Sequence, residues 1–246
     1  MKKIVAFLFV LMALNQVHAQ DSVVTPAVKK KKDWTSVLTR PKDHFMVQFG
    51  YNLWTEKTDT INTSGFPRSV NVYFLMDFPF KTDPRWSVAI GAGYANDWQT
   101  FKDTYIDITG SRGNRLAFYN VKDTNHFSKY RLSTSYLEAP LELRFSSTPE
   151  RNMSSWKAAL GVKIGWMVGA HTRGKDFVNK NGTTINDYVL KEKTSKYFNT
   201  TRLSVMGRIG WGIVSLYAAY QVNPFIKEGF GPDVRPLQFG VMISGL

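Results

Sequence analysis

Cysteine is absent from the 246 residues. That excludes a disulfide framework, a thiolate metal site and a lipidated cysteine at the start of a processed chain. Long apolar runs are missing too: after residue 20 no stretch approaches the roughly 18 residues that a transmembrane helix needs. Acid is scarce beside base, with 19 Asp and Glu against 32 Lys and Arg and a formal charge of +13. Histidine is sparse, and His18, His44 and His171 are too scattered to suggest a metal centre.

What is present begins with an export signal. Lys2 and Lys3 form a basic start, Ile4 to Leu14 is apolar but too short to cross a bilayer, and Val17-His18-Ala19 offers a small-residue cleavage site. Residues 1–19 therefore read as a signal peptide, with the mature chain starting at Gln20 or Asp21. Removing Lys2 and Lys3 lowers the formal charge from +13 to +11. Such an excess suits a polyanion. Export argues against nucleic acid and favours outer-membrane lipid and lipopolysaccharide as the countercharge. Residues 20–43 are polar, contain Pro26 and Pro41, and carry Lys29-Lys30-Lys31-Lys32. They read as an extended periplasmic tether.

From residue 44 the hydropathy repeats every two residues, the period of a strand with one buried face. Phe45, Val47, Phe49, Tyr51 and Leu53 alternate with Met46, Gln48, Gly50 and Asn52. Seven further segments behave alike, at about 69–79, 86–97, 137–145, 156–169, 202–211, 215–222 and 237–243. The clearest sets Trp156, Ala158, Leu160, Val162, Ile164, Trp166 and Val168 against Lys157, Ala159, Gly161, Lys163, Gly165 and Gly169. Strands of ten or so residues are long enough to cross a hydrocarbon layer at a tilt. The connections alternate between long and short, as extracellular loops and periplasmic turns do. The expectation is an all-β fold: an eight-stranded antiparallel up-and-down transmembrane β-barrel over 44–246, with both termini periplasmic and no domain appended after the eighth strand.

A soluble barrel such as a lipocalin has the same alternation but turns its apolar face inward. Two features favour the inverse. The face opposite the bulky apolar residues is rich in Gly and Ala alongside charge, which suits a narrow lumen and would only weaken a water-facing strand. Tryptophans also stand where interfaces should be. Trp156 and Trp166 are ten positions apart on one face, about 25 Å along the membrane normal at about 3.3 Å per residue and a tilt near 40°. Trp86, Phe145 and Trp211 are expected in the periplasmic girdle, and Tyr51, Tyr94 and Tyr220 in the outer one.

The inward set then contains Asp77, Glu138, Glu142, Arg144, Lys157, Lys163, Arg202 and Arg208. Pairing Phe145 with Trp156 through their short turn places Glu138 opposite Lys163. Buried charges must be paired, so these residues are expected to form a packed polar plug rather than an open pore.

Catalytic chemistry has one candidate. His126-Phe127-Ser128 puts His and Ser on one side of an extended segment and resembles the His-x-Ser motif of some outer-membrane lipid A deacylases. It lies in a long loop, and the tripeptide is common by chance, so no catalytic residue, metal or cofactor is expected. Gly110-Ser111-Arg112-Gly113 has no following helix and is no phosphate cradle. The loops 98–129 and 172–200 are basic, with Lys129, Arg173, Lys175, Lys191 and others. They read either as solvated loops or as contacts to lipopolysaccharide phosphates or a protein partner.

Ser135-Tyr136-Leu137-Glu138-Ala139-Pro140-Leu141-Glu142-Leu143 resembles the "YLE-x-PL" strand of Bacteroidota outer-membrane β-barrel domain proteins, also called PorT-like. Gly207 to Gly212, Tyr220 to Phe225 and Gly229-Phe230-Gly231-Pro232 with Pro236 resemble the closing strands of that family. The resemblance covers about 44–246. It implies a membrane barrel without known catalytic residues; family members include one implicated in type IX protein secretion. The function expected is a non-enzymatic structural or accessory envelope component, possible partners being other envelope or secretion proteins. An outer-leaflet lipid-modifying enzyme and a narrow channel are the alternatives.

Overall fold

The computed structural model describes residues 44–56, 61–63, 68–111, 113–149 and 154–245. The expected signal peptide and tether lie outside the described residues. Eleven strands follow one another: β1 (Phe45–Thr55), β2 (Arg68–Pro79), β3 (Trp86–Phe101), β4 (Thr104–Asp107), β5 (Ala117–Asn120), β6 (His126–Ser146), β7 (Trp156–Val178), β8 (Thr184–Lys193), β9 (Thr201–Trp211), β10 (Val214–Gln221) and β11 (Arg235–Ser244).

Eight of these close a ring in the order β1-β2-β3-β6-β7-β9-β10-β11, each antiparallel to the next. The seam joins β11 back to β1, from Met46 opposite Ser244 to Thr55 opposite Arg235. Connections β2–β3, β6–β7 and β9–β10 are short and share one end of the ring with the start of β1 and the end of β11; the other four connections are longer and share the opposite end. The eight-stranded antiparallel barrel is thus the observed architecture.

The alternation reads out directly as two faces. Phe49, Ile90, Leu137, Leu160, Trp166 and Ile209 are exposed on the outside, while Gln48, Asn71, Glu138, Lys163 and Arg208 are buried inside. A lumen polar enough to hold these groups and an exterior this apolar is the inverse of a water-soluble barrel.

Three features differ from the sequence-based expectation. First, Phe145 faces Ala158, and Glu138 faces Gly165, so β6 and β7 pair two residues away from the anticipated register. The Ser147 N–H donates to the Trp156 carbonyl at 2.9 Å and sets where the turn closes. A shift of two leaves every side chain on its own face, whereas a shift of one would invert them all. Second, β6 and β7 run for 21 and 23 residues. At about 3.3 Å per residue and a tilt near 40°, β7 extends roughly 58 Å, about twice the hydrocarbon thickness. Its far half carries β8 as a hairpin partner, and β4 pairs with β5 in the neighbouring loop. Third, β7 holds a bulge. Ser135 faces Gly169 but Tyr136 faces Met167, leaving Val168 as the extra residue. Beyond it the phase of β7 changes, so Gly169 faces outward rather than into the lumen.

Candidate functional site: a charged lumen under an apolar cap

The interior is built from side chains that period two sends inward from every ring strand. Near the middle, Glu138 is fully buried and is shared by three partners. Tyr73 donates its hydroxyl at 2.5 Å, Arg202 donates through Nη1 at 3.1 Å, and Lys163 Nζ stands 3.3 Å away. Arg202 Nη2 donates to Asp97 at 2.7 Å, and Asp97 accepts a further bond from Gln238 Nε2 at 2.8 Å. Lys163 also donates to the Tyr73 oxygen at 3.2 Å, and the Arg202 guanidinium lies over the Tyr136 ring, 4.5 Å from its centre. Two carboxylates here balance two cations.

A second cluster occupies the short-turn side. Glu142 accepts from Arg144 Nε at 2.8 Å and from Arg208 Nη2 at 3.2 Å. Arg144 Nη1 stands 3.8 Å from Asp77, which accepts from the Ser87 hydroxyl at 2.6 Å. Again two acids meet two bases. Lys157 is buried in the lumen wall nearby. All eight anticipated lumen residues thus lie inside the ring. Glu138 and Lys163 meet even though they are not opposite in register, because Lys163 is long enough to span the offset.

Tyr73, which the sequence places among the groups a narrow lumen must fit, belongs to the same network, as do Asp97 and Gln238 of the polar face. Asp97 carried a readable signal, since it is in phase with the inward Ser87 and Ala89 of β3. The bulk of Tyr73 is accommodated at Gly93 across the β2–β3 pair: a Cβ there would collide with the Tyr73 ring and the Val72 carbonyl. Gly50 makes the same kind of room for the Tyr217 hydroxyl.

The aromatic residues divide between the ends of the outer apolar band. Trp86 packs on Phe145 with centroids 5.1 Å apart, and Trp156 meets Trp211 edge-on at 5.1 Å, all beside the short turns. Trp166 and Tyr94 stand exposed toward the long loops, and Tyr51 is half-buried against Phe239 at 5.5 Å. Tyr220 is half-buried and opposite Leu237 and Val205.

Above the ion clusters the interior becomes apolar. Trp54, Ile61, Ile106, Leu132, Phe198 and Phe225 form one buried core, to which all four long loops contribute. Trp54 is its hub, meeting Phe101 edge-on at 5.4 Å and Phe225 at a tilt at 5.3 Å. This cap was not anticipated; the basic side chains Lys129, Arg173, Lys175 and Lys191 of the same segments remain exposed. Ion pairs thus lie across the middle of the lumen, with a hydrocarbon core above them.

Beside the cap is a cavity of about 510 Å³ walled by Tyr105, Phe127, Tyr130 and Tyr188, with Asp103 and His126 at its edge. His126 Nδ1 lies 2.9 Å from the Thr124 carbonyl, and Nε2 lies 3.9 Å from Asp103. Ser128 is exposed and makes no hydrogen bond with His126, so the nucleophile–base contact of the His-x-Ser reading is not formed. Among the described residues no group of three or more side chains is arranged to hold a metal ion.

No curated protein matches the chain. A family profile does, over residues 44–236, which include seven complete ring strands and the start of the eighth. With its inverted polarity, closed ring and apolar exterior, the chain belongs to the outer membrane protein beta-barrel domain family.

Proposed function

We propose that this barrel is a closed, non-enzymatic structural or accessory component of the outer membrane, with the short turns and both ends of the ring on the periplasmic side. The observation that carries the reading is the occupied lumen. Charge-balanced clusters around Glu138 and Glu142 fill it, and the Trp54 core lies over it. An eight-stranded ring has room only for side chains, and breaking a buried ion network to admit water costs several kcal/mol (roughly 3–5).

Planar-bilayer recording tests this. Purified protein is expected to insert without unitary conductance steps; reproducible steps would replace the reading with that of a channel. The finer reading, a link to type IX secretion, rests on the resemblance of residues 135–143 to PorT-like barrels. Affinity purification in mild detergent is expected to bring down other envelope proteins of that pathway, and recovery of the barrel alone removes it. The lipid-modifying alternative draws no support from the His126–Ser128 geometry. Replacing both residues is expected to leave the lipid A profile unchanged.

A further inference from the structure

Above the bulge, the outer face of β6, β7 and β8 is densely cationic. Arg131 faces Arg173, Lys129 faces Lys175, and Arg173 faces Lys191 across the adjoining pair, with Lys193 opposite His171. Arg68 and Thr100 extend the surface onto β2 and β3, and together with Lys129, Arg131, Arg173 and Lys175 they line a groove of about 480 Å³. Like charges directly opposite one another destabilise a sheet. Only Lys175 has a carboxylate in reach, Asp176 at 3.6 Å; Arg68, Lys129, Arg131, Arg173, Lys191 and Lys193 make no ion pair among the described residues. The lumen shows that this chain pairs its cations where no solvent or outside ligand reaches them. On this face the chain itself supplies one carboxylate, Asp176, for seven cations.

Position identifies the source of a balancing anion. The same strands carry lipid-facing residues immediately below: Val70 is two residues from Arg68 on β2, and Leu137 is six from Arg131 on β6. At about 3.3 Å per residue and a tilt near 40°, the cations begin about 5 Å and reach about 15 Å or more beyond the apolar band. A simple phospholipid head occupies only about 5–8 Å of that depth. Phosphates carried on a sugar head group reach further. We infer that this face binds the phosphorylated sugar head of a glycolipid in the leaflet at the long-loop end, with Arg131 and Arg173 gripping phosphate as paired guanidinium forks. The inference rests on the membrane reading above and names a partner for it.

The test titrates the full chain, folded in zwitterionic detergent micelles, with diphosphoryl lipid A, with dephosphorylated lipid A and with inorganic phosphate, reading complexes by native mass spectrometry. Diphosphoryl lipid A is expected to bind about tenfold or more tightly than the dephosphorylated form, and more tightly than free phosphate. Arg131→Gln with Arg173→Gln is expected to abolish that preference, whereas Lys81→Gln with Arg85→Gln at the opposite end leaves it intact. Heat-dependent gel migration establishes that each variant is still a folded barrel; should the double arginine variant not fold, Lys191→Gln with Lys193→Gln, on the peripheral hairpin, is read in its place. Equal affinity for the two lipids, or a preference that survives the arginine variant, overturns the inference while leaving the barrel reading intact. A chain that will not enter micelles at all overturns both.

Discussion

The lower and upper halves of β6 and β7 obey opposite rules. Below the bulge at Val168, the two strands send Leu137, Leu141, Leu160 and Val162 outward and Glu138, Glu142 and Lys163 inward. Above it, Tyr130, Leu132, Ala170 and Val178 are buried inside and Arg131, Arg173 and Lys175 stand outside. The strands and their pairing are continuous; what differs is the solvent. Hydrocarbon outside pushes polar groups into the lumen, and water outside draws them out again. One pair of strands is thus a membrane protein at one end and an ordinary soluble sheet at the other, with the phase change in β7 falling at the boundary.

The largest test of this contrast removes a charge from the lower interior. Glu138→Ala leaves Lys163 and Arg202 short of a shared carboxylate and is expected to destabilise the barrel by about 3–5 kcal/mol, measured by urea unfolding in lipid vesicles. A loss below 1 kcal/mol (about the size of an exposed pair) would mean that water reaches the cluster. A middle-sized effect comes from exchanging polarity on the outside. Leu160→Arg, near the middle of the apolar band, is expected to cost about 2–4 kcal/mol in the same assay. Lys129→Leu, on the same side of the sheet above the boundary, is expected to change stability by no more than about 0.5 kcal/mol. Equal penalties for the two would erase the distinction between the halves.

The smallest effect is a titration. Partial desolvation, then the charges of Lys191, Arg131, Lys193 and Arg173, hold the His171 imidazole below its ordinary value of 6.5. A folded state that resists protonation has its full contribution above the unfolded value and loses it as pH falls. Stability is therefore expected to decline slightly as pH drops below about 6.5, with the slope flattened in His171→Asn. An NMR midpoint for His171 at or above 6.5 would contradict the electrostatic description of this face; occupation of the face by phosphorylated lipid should move the midpoint upward.

The lower half was legible from sequence because period two fixes faces without any knowledge of partners. Leu137, Glu138, Leu141 and Glu142 announce their sides whatever lies across from them. Register was not legible, since the turn from Ser147 to Ser155 leaves two in-phase pairings open, and only its own hydrogen bonding chooses between them. The upper half was harder for a different reason. Nearly every position of β8 is exposed, so no alternation marks it, and β4 and β5 are only four residues each. The cap core draws single residues such as Ile61, Phe198 and Phe225 from separate loops, a pattern with no period. Trp54 was the available clue, because it continues the inward phase of Asn52 past the end of the polar lumen. The extra residue at Val168 hid within the regular run that precedes it; the shift shows only in Ala170 and Thr172 against Arg173 and Lys175.

The seam between β1 and β11 has a consequence for assembly. Residues that are neighbours there, such as Val47 and Ile243, are separated by almost the whole polypeptide, so the ring cannot close until the last strand has been delivered. Until then, two backbone edges are open at once, each a template for pairing with a second molecule. Loss of the final strand is therefore expected to yield aggregates rather than a seven-stranded remnant, seen as failure to recover any heat-modifiable monomer on refolding. Delivery of β11 is thus the step that removes both edges at once.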